Sequence, residues 1–386
     1  MLITNAYIYR NQTHRFEYGN MLIRDGEIVA LDLNEIPLNE EIWDLDGKAV
    51  VPGLVDIHTH GRAGMDFNRA DEKELAAMAR SYAERGVTGV MPTLASDALE
   101  QMYASHQRIA SFVPDRGEAS FLGVHWEGRY INPAKKGAHA PEHLSALRAE
   151  ELDHPCFRMP FPVHITGSFE LDTDGSFAAK ALSLGATLSL GHTAATYREA
   201  VLAESRGVSA YTHLFNTMPP LHHREGGAVA AALTGDAYVE LICDGMHVSE
   251  EMIRLAYRAK GNARFVLITD SMEAAGCADG NYSIAGNAVT VKNGMATLEG
   301  GILAGSTLTL DDAVRNLMRM CKIPLTEAIL CATENPARAV GVFDRVGSLD
   351  VGKQADLLVL ADQTSLSICD VMLRGELVSK NVEADS

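Results

Sequence analysis

The strongest constraint on the fold is a regular alternation of short apolar runs and helix-like stretches that begins at Val51. The apolar runs have the length of buried strands, and the stretches between them repeat apolar residues at helical spacing. Eight strand–helix units follow one another without a low-complexity linker. Eight such units in one domain favour a closed parallel barrel over an open doubly wound sheet. We therefore predict an α/β fold, a TIM-type (β/α)8 barrel, over residues 51–344.

The predicted barrel strands are the apolar runs at 51–57, 87–94, 120–127, 161–166, 186–192, 208–213, 238–244 and 264–270. The predicted helical stretches lie at 72–85, 98–112, 141–152, 176–184, 197–206, 226–233, 249–259 and 307–320. In a parallel barrel the carboxyl ends of all strands meet at one rim, where active sites lie. The residues that end these strands are therefore the first candidates for a functional site.

The two ends of the chain have a different pattern. Residues 1–50 contain four strand-like runs, with Asp25-Gly26 and Asp46-Gly47 as turn signals between them. Strand-like runs return near the C-terminus at 347–349, 355–361 and 371–378. Neither end could bury a core by itself. We expect residues 1–50 and 345–386 to form one small, discontinuous β-sandwich domain.

Composition excludes some partners and suggests a compartment. The formal net charge is -18, from 33 basic and 51 acidic residues, so the surface repels nucleic acid and acidic membranes at long range. No apolar run approaches the roughly 18 residues of a membrane span. The six cysteines are scattered, and the first residues do not resemble a signal peptide. We expect a cytoplasmic protein with reduced thiols that binds neither nucleic acid nor membranes.

A pair of histidines ends the first barrel strand. His58 and His60 are two residues apart, so on a strand both imidazoles point to the same side. The apolar run from Val51 and the closing Gly61 indicate a buried strand that delivers both rings to the barrel rim. Two neutral imidazoles directed at one point are typical of a metal site, although two polar residues at a strand exit would give the same pattern.

Other strand ends carry residues that bind metals or transfer protons: Glu127, His192, His213, the pair Asp244 and His247, and Asp270. Any one of them could be a structural residue, but together with His58 and His60 they agree in position across six strands, which favours a catalytic rim. Imidazole nitrogen with carboxylate oxygen suits zinc or iron-like divalent ions and leaves a position for water. We interpret His125 as an inner-barrel residue. His14, His106, His143 and His154 are interpreted as surface residues, and His164 is left open.

Several motifs resemble one known family. Pro52-Gly-Leu-Val-Asp-Ile-His-Thr-His-Gly61 resembles the opening signature of the amidohydrolase superfamily. The later motifs resemble the N-acetylglucosamine-6-phosphate deacetylase family: Gly123-Val-His-Trp-Glu-Gly128, Lys135-Lys-Gly-Ala-His139, Gly191-His-Thr-Ala-Ala195, His213-Leu-Phe-Asn-Thr-Met-Pro219, Asp244-Gly-Met-His247, Thr269-Asp-Ser-Met272 and Leu303-Ala-Gly-Ser-Thr-Leu-Thr309. The resemblance covers essentially the whole chain. It implies hydrolysis of the acetamide of this phosphorylated amino sugar.

The resemblance also implies roles for individual residues. Glu127, His192 and His213 match the main ligands of a divalent ion (Zn, Fe, Mn or Co), and Asp270 matches the catalytic acid and base beside the metal. His58 and His60 match members that hold a second ion. His247 matches a position that contacts the substrate, and either His247 or the metal would stabilise the oxyanion. The other substrate-contacting positions are Ala138, His139, Asn216, Thr217, Leu303, Ala304 and Gly305.

Arg224 matches an arginine that reaches the sugar phosphate across a homodimer interface. A protein of net charge -18 needs local cations to bind a phosphate. Pro219-Pro220 stiffens the loop before Arg224 and should direct it away from its own barrel. We therefore expect a homodimer in which each subunit completes the phosphate pocket of the other.

Two rim loops depart from the family pattern. Arg129-Tyr130 follows Glu127-Gly128 where the family has Pro-Phe or a near variant, and 166–170 replaces a short Ala-Pro-Glu. The sugar epimer therefore stays open, with N-acetylgalactosamine 6-phosphate as an alternative substrate. A cyclic-amide hydrolase is less favoured, because the fourth strand lacks the lysine that bridges two metals in many of them. A catalytically inactive barrel scaffold is the other alternative, but such a protein should have lost ligands.

Overall fold

Eight parallel strands form the centre of the molecule in the computed structural model, which describes residues 1–35, 37 and 39–378. They are β1 (Leu54–Thr59), β2 (Val87–Leu94), β3 (Val124–Glu127), β4 (Val163–Gly167), β5 (Thr187–Leu190), β6 (Val208–Tyr211), β7 (Tyr238–Ile242) and β8 (Phe265–Ile268). Each strand pairs with the next one in the chain. The ring closes where Thr59 bridges Ser271 and the Asp270 amide donates to the His58 carbonyl at 2.9 Å. The predicted (β/α)8 barrel is confirmed.

The helices surround this barrel as α1 (Glu72–Ala83), α2 (Leu99–Ser111), α3 (Ser176–Ser183), α4 (Tyr197–Ser205), α5 (Gly227–Thr234), α6 (Glu250–Lys260), α7 (Leu310–Cys321), α8 (Leu325–Ala328) and α9 (Glu334–Ala339). The helix predicted at 141–152 is wrong as an α-helix. Single 3-10 turns occupy this region at Pro141–His143 and Ala149–Asp153. Of residues 141–152 only Leu152 is buried, so the segment has no apolar stripe that could stabilise a helix by packing.

Strands from both chain ends form one eight-stranded sheet beside the barrel: Leu2–Arg10, Arg15–Arg24, Glu27–Leu31, Ile42–Asp44, Ala49–Pro52, Leu357–Leu360, Ile368–Leu373 and Glu376–Leu377. Leu357–Leu360 pairs antiparallel with Ala49–Pro52 and joins the two ends. Side chains such as Ile8, Val50 and Val359 pack together on one face, whereas Val51 and Leu358 pack against the barrel core. A small β-domain from both ends is thus confirmed, and residues 379–386 of the prediction lie outside the described residues.

The first predicted strand is divided at Gly53. Ala49–Pro52 belongs to the sheet of the chain ends, and β1 begins only at Leu54. A Cβ at Gly53 would lie 2.1 Å from Thr88 Oγ1, so only glycine permits this close approach between the first two barrel strands. The apolar run therefore contributes one strand to each of two sheets, and periodicity alone could not show this division.

A three-stranded antiparallel sheet follows β8 and was not predicted. Its strands are Gly280–Ile284, Asn287–Lys292 and Met295–Thr297. The side-chain Nδ2 of Asn287 donates to the Ala138 carbonyl at 2.7 Å and connects this sheet to the loop after β3. The Asn293-Gly294 turn and the alternating polarity before it were the available signal. Within the described residues, no helix combines the length and hydrophobicity that crossing a bilayer requires.

Candidate metal centre and substrate cavity

Six strand-end residues converge at the carboxyl rim of the barrel. They are His58 in β1, His60 directly after β1, Glu127 in β3, His192 after β5, His213 after β6 and Asp270 after β8. All six side chains are buried. Parallel strands bring them together because each strand ends at the same rim. The structure therefore assembles in one place every residue that the sequence predicted as a metal ligand.

Glu127 lies at the centre of this group and faces two sets of partners. Its Oε1 is 2.9 Å from His213 Nε2 and 3.1 Å from His192 Nε2. The two imidazole nitrogens are themselves 3.1 Å apart. Two ring nitrogens this close to each other and to one carboxylate oxygen have the arrangement of ligands around a single cation.

The other carboxylate oxygen of Glu127 faces β1 and β8. Its Oε2 is 2.9 Å from His60 Nε2 and 3.4 Å from His58 Nε2. Asp270 Oδ1 is 3.3 Å from His60 Nε2 and 3.5 Å from His58 Nε2. These four side chains form a second group of ligand atoms that shares Glu127 with the first.

Three of the converging residues have backbone angles that L-amino acids seldom adopt. The φ angle is +48° at His192, +30° at His213 and +49° at Asp270. Each residue stands two positions after the end of its strand. A non-glycine residue in this region costs on the order of 1–3 kcal/mol, and such strain concentrates at functional sites. All three strained positions therefore lie at the carboxyl rim of the barrel.

The hydrogen bonds around the histidines fit a metal centre. His192 Nδ1 lies 2.8 Å from the Lys135 carbonyl, which can only accept, so Nδ1 carries the proton and Nε2 presents a lone pair. His58 Nε2 is buried without a hydrogen-bond partner, although both carboxylates face it. Nitrogen and oxygen donors in this number suit zinc, iron, manganese or cobalt.

The two carboxylates draw positive charge into the centre. Burial would lower the pKa of His60, but hydrogen bonds to Asp270 and Glu127 outweigh it and raise the pKa to about 9. Burial would raise the pKa of Asp270, but the neighbouring His58 and His60 lower it to about 2. Two adjacent, buried and ionised carboxylates need cations beside them. A divalent ion meets this need.

A cavity of about 260 Å³ opens above these ligands. Its lining includes the substrate-contacting positions predicted from the sequence: Ala138, His139, Asn216, Thr217, His247, Leu303, Ala304 and Gly305. Ile284 and Ala285 of the three-stranded sheet and Ile302 also line it and were not predicted. The cavity therefore has a polar floor at the metal centre and an apolar cover.

His247 and His139 have defined partners at this cavity. His247 Nδ1 lies 2.6 Å from Asp244 Oδ2. Burial lowers the pKa of His247, but the hydrogen bond to Asp244 outweighs it and the net shift is upward. His139 Nδ1 accepts from the Ser96 amide at 3.2 Å, so its neutral ring carries the proton on Nε2. Nε2 faces the site at 3.7 Å from Glu127 Oε2, which is beyond hydrogen-bond length.

Arg224 does not line the cavity of its own chain. It lies on an exposed loop, where its guanidinium is 2.8 Å from His223 Nε2. The two rim-loop departures also lie outside the cavity lining. Arg129 donates to the carbonyls of Asp97 and His143, and Tyr130 OH donates to Glu151 at 3.0 Å.

Glu170 in the second departing loop has a positioning role. It accepts from the Ala194 amide at 2.8 Å and from Thr193 Oγ1 at 2.7 Å. Both donors follow His192 directly in the chain. The unusual loops thus hold the rim from outside rather than contacting the space where a sugar would bind.

Three further histidines are fully buried outside the candidate site. The surface interpretation of His106 is wrong, because His106 is fully buried and accepts from Trp126 Nε1 at 3.1 Å. Helical periodicity did not reveal that His106 is buried, because histidine was counted as a polar residue although it lies on an otherwise apolar helix face. His125 is an inner-barrel residue as predicted, with Thr93 and Thr166 as partners. His164 is also inside the barrel and faces Glu240, which the sequence did not single out.

Comparison with known proteins agrees with this geometry. The amidohydrolase family model matches residues 49–378. An N-acetylgalactosamine-6-phosphate deacetylase of Escherichia coli O157:H7 is 35% identical over 92% of this chain and 94% of its own length. An N-acetylglucosamine-6-phosphate deacetylase of Bacillus subtilis is 33% identical over 95% of this chain and 94% of its own length.

The chain belongs to the amidohydrolase family. Among solved structures, the N-acetylglucosamine-6-phosphate deacetylase of Pasteurella multocida superposes on this amidohydrolase with a TM-score of 0.89 at 30% identity, covering 97% of this chain and 98% of that one. A mutant of the corresponding Mycobacterium smegmatis enzyme, in complex with N-acetyl-D-glucosamine-6-phosphate, gives 0.87 at 31% identity, covering 98% of this chain and 99% of that one.

Proposed function

We propose that this amidohydrolase hydrolyses the acetamide of N-acetylglucosamine 6-phosphate to glucosamine 6-phosphate and acetate, in amino-sugar catabolism or recycling. The observation that carries the proposal is the shared carboxylate of Glu127. It joins a His192–His213 pair to a His58–His60–Asp270 group below one cavity. An inactive scaffold would have no reason to maintain three strained backbone positions around these ligands.

A divalent ion (Zn, Fe, Mn or Co) would be held by Glu127, His192 and His213, and a second by His58, His60, Glu127 and Asp270. When bound, the metal polarises a carbonyl oxygen and lowers the pKa of water. The chain supplies the remaining functions through its own side chains. One or two ions per subunit are compatible with this ligand set.

Asp270 is the proposed proton carrier. It takes a proton from the attacking water and then gives it to the amine that leaves. Its position between the two histidines of β1 keeps it ionised before the reaction, as its lowered pKa indicates. His247 donates a hydrogen bond to the developing oxyanion, because Asp244 occupies its Nδ1 and leaves Nε2 for the cavity.

The cavity residues would orient the sugar. Asn216 and Thr217 stand on the loop after β6, and Ala138 and His139 stand on the loop after β3. Leu303, Ala304 and Gly305 close the cavity from the side of β8. Together these three loops surround the space directly above the candidate ligands, and Asp270 lines the same cavity, so a sugar bound there would have its acetamide within reach of Asp270.

We further propose that Arg224 binds the 6-phosphate of the substrate held by the other subunit of a homodimer. Its exposure and its position outside its own cavity support this role. A planar guanidinium meets phosphate with two parallel hydrogen bonds. A cytoplasmic location is part of the proposal and is supported by the six cysteines, all of which are free thiols.

N-acetylgalactosamine 6-phosphate is the second candidate substrate. It is favoured by the E. coli relative of that name, whose identity to this chain is 35%. The two sugars differ in one hydroxyl orientation, so the same metal centre and the same proton carrier would serve either. The choice depends on the cavity side chains that meet this hydroxyl.

Acetate release from a panel of sugars tests the proposal. The panel contains N-acetylglucosamine and N-acetylgalactosamine, each with and without the 6-phosphate, and the metal content of the protein is measured in parallel. We expect release from the 6-phosphates, loss on chelation, and recovery with a divalent ion. Full activity of metal-free protein, or no release from any 6-phosphate, would refute the proposal. A preference for the galactosamine form would select the second candidate.

A further inference from the structure

A fully buried glutamate lies directly beneath the metal centre and has no role in the function proposed above. Glu240 stands in the middle of β7, and its side chain has no exposed surface. Its Oε2 lies 3.4 Å from His58 Nδ1, and its Oε1 lies 3.3 Å from His164 Nε2. Ser189 also donates to Oε1 at 3.3 Å. A carboxylate is very costly to bury without partners, so this arrangement requires an explanation.

Three polar side chains surround the carboxylate of Glu240. His58 and His164 each place a ring nitrogen within 3.4 Å of one of its oxygens, and Ser189 donates to Oε1. An ionised carboxylate only accepts hydrogen bonds. His164 is itself fixed from behind, with Nδ1 2.8 Å from Thr187 Oγ1. The chain Thr187–His164–Glu240 therefore presents a fixed acceptor to His58.

This acceptor determines which nitrogen of His58 can bind a metal. Because Glu240 accepts at Nδ1, the neutral His58 ring carries its proton there and leaves a lone pair on Nε2. Nε2 is the atom that faces Glu127 Oε2 at 3.4 Å and Asp270 Oδ1 at 3.5 Å. His192 is arranged in the same way by the Lys135 carbonyl. In both histidines, Nδ1 thus faces an oxygen acceptor and Nε2 faces the candidate metal site.

We propose that Glu240 is a positioning residue that holds His58 in its metal-binding tautomer and thereby sets the affinity of the cation site formed by His58 and His60. The inference rests on the second ion of the proposed function. Carboxylates behind ligand histidines orient the ring and increase its basicity, and their removal typically weakens metal binding about 10- to 100-fold. Glu240 also adds a negative charge close to the cation.

Glu240→Gln is the direct test, because glutamine keeps the size and removes the charge. Its amide can donate to Nδ1 of His58, which moves the ring proton to Nε2 and blocks metal binding there. The metal content is measured after dialysis in buffered zinc. A titration with Co(II), followed by its visible absorption, then reports the occupancy of the two sites separately. We expect the wild type to bind two ions. In the variant, the affinity for the second ion should be about 10- to 100-fold lower, while the first ion is retained.

A matched control separates this role from simple stability. Asp172→Asn also neutralises a buried carboxylate, one that accepts from the amides of Phe177 and Ala178 outside the cavity. This variant should retain both ions even if its melting temperature falls. Glu240→Asp keeps the charge but is one methylene shorter, so it should weaken the second site as well. It also provides a second measurement if the glutamine variant does not fold.

The outcomes distinguish the inference from the proposed function. Two ions bound with unchanged affinity in both Glu240 variants would overturn the positioning role and leave the proposed deacetylase intact. A wild-type protein that binds only one ion, with His58→Ala unchanged in metal content, would overturn the second site and the positioning role together. No acetate release by the wild type from any 6-phosphate sugar would instead refute the proposed function.

Discussion

The buried His106 should make the protein sensitive to mild acid. Its Nδ1 accepts from Trp126 Nε1 at 3.1 Å, and its Nε2 is buried without a partner. The ring packs against Trp126 and Phe157, with centroids 6.1 Å and 5.5 Å away. Burial in these apolar surroundings lowers the pKa of His106 from 6.5 to about 3. The folded protein therefore excludes the proton that the unfolded chain accepts.

The sign and size of the effect follow from these two pKa values. The folded pKa is depressed, so the stabilising contribution is fully present above the unfolded value of 6.5 and declines as pH falls toward 3. Each pH unit below 6.5 costs about 1.4 kcal/mol of unfolding free energy. The loss from this one residue is therefore about 2 kcal/mol at pH 5.

His106→Gln tests this calculation. Glutamine can offer an oxygen acceptor to Trp126 but does not titrate. Unfolding by denaturant at pH 7, 6 and 5 gives the free energy for both proteins, and we expect the wild type to lose about 2 kcal/mol more than the variant between pH 7 and 5. His14→Gln removes an exposed histidine and should follow the wild type. Parallel pH dependence of wild type and His106→Gln would refute the reasoning.

Three further predictions concern the site and one helix. Asp270→Asn should lower kcat about 100-fold or more with little change in substrate binding, measured by acetate release and calorimetry, because only proton transfer is lost; a near-wild-type rate would exclude the role. Arg224→Ala should raise KM for the 6-phosphate sugar and leave the unphosphorylated sugar nearly unchanged, whereas Arg198→Ala, an exposed arginine on α4, should change neither. Equal losses on both sugars would contradict the phosphate contact. Thr196→Ala removes the capping box of α4 and should reduce the unfolding free energy by about 1 kcal/mol, measured by denaturant unfolding at pH 7; an unchanged midpoint would argue against the cap.

The barrel and the cluster of candidate metal ligands could be predicted from the sequence for a simple geometric reason. Parallel strands place all their carboxyl ends at one rim, so residues that end successive strands become neighbours whatever their distance in the chain. His58, Glu127, His192 and Asp270 were found in this way. The prediction needed only the order of the strands and not their registers.

The strand boundaries and the cover of the cavity needed the tertiary structure. The apolar run after Val51 contributes to two sheets, and only the close contact at Gly53 decides where one ends. The three-stranded sheet over the cavity comes from a segment with weak periodicity, whose position depends on contacts such as Asn287 with Ala138. Such local strands are stabilised by what they pack on rather than by their own pattern.

The buried polar residues inside the barrel show most clearly what only the tertiary structure decides. Glu240 is in the middle of the apolar strand Tyr238–Ile242, where the sequence gives no indication of what an inward carboxylate would meet. Closure of the barrel and the register of each strand bring Ser189, His164 and His58 to within hydrogen-bonding distance of it. A strand end meets the rim by topology alone, whereas a mid-strand residue finds its partners only through the registers of strands far apart in the chain.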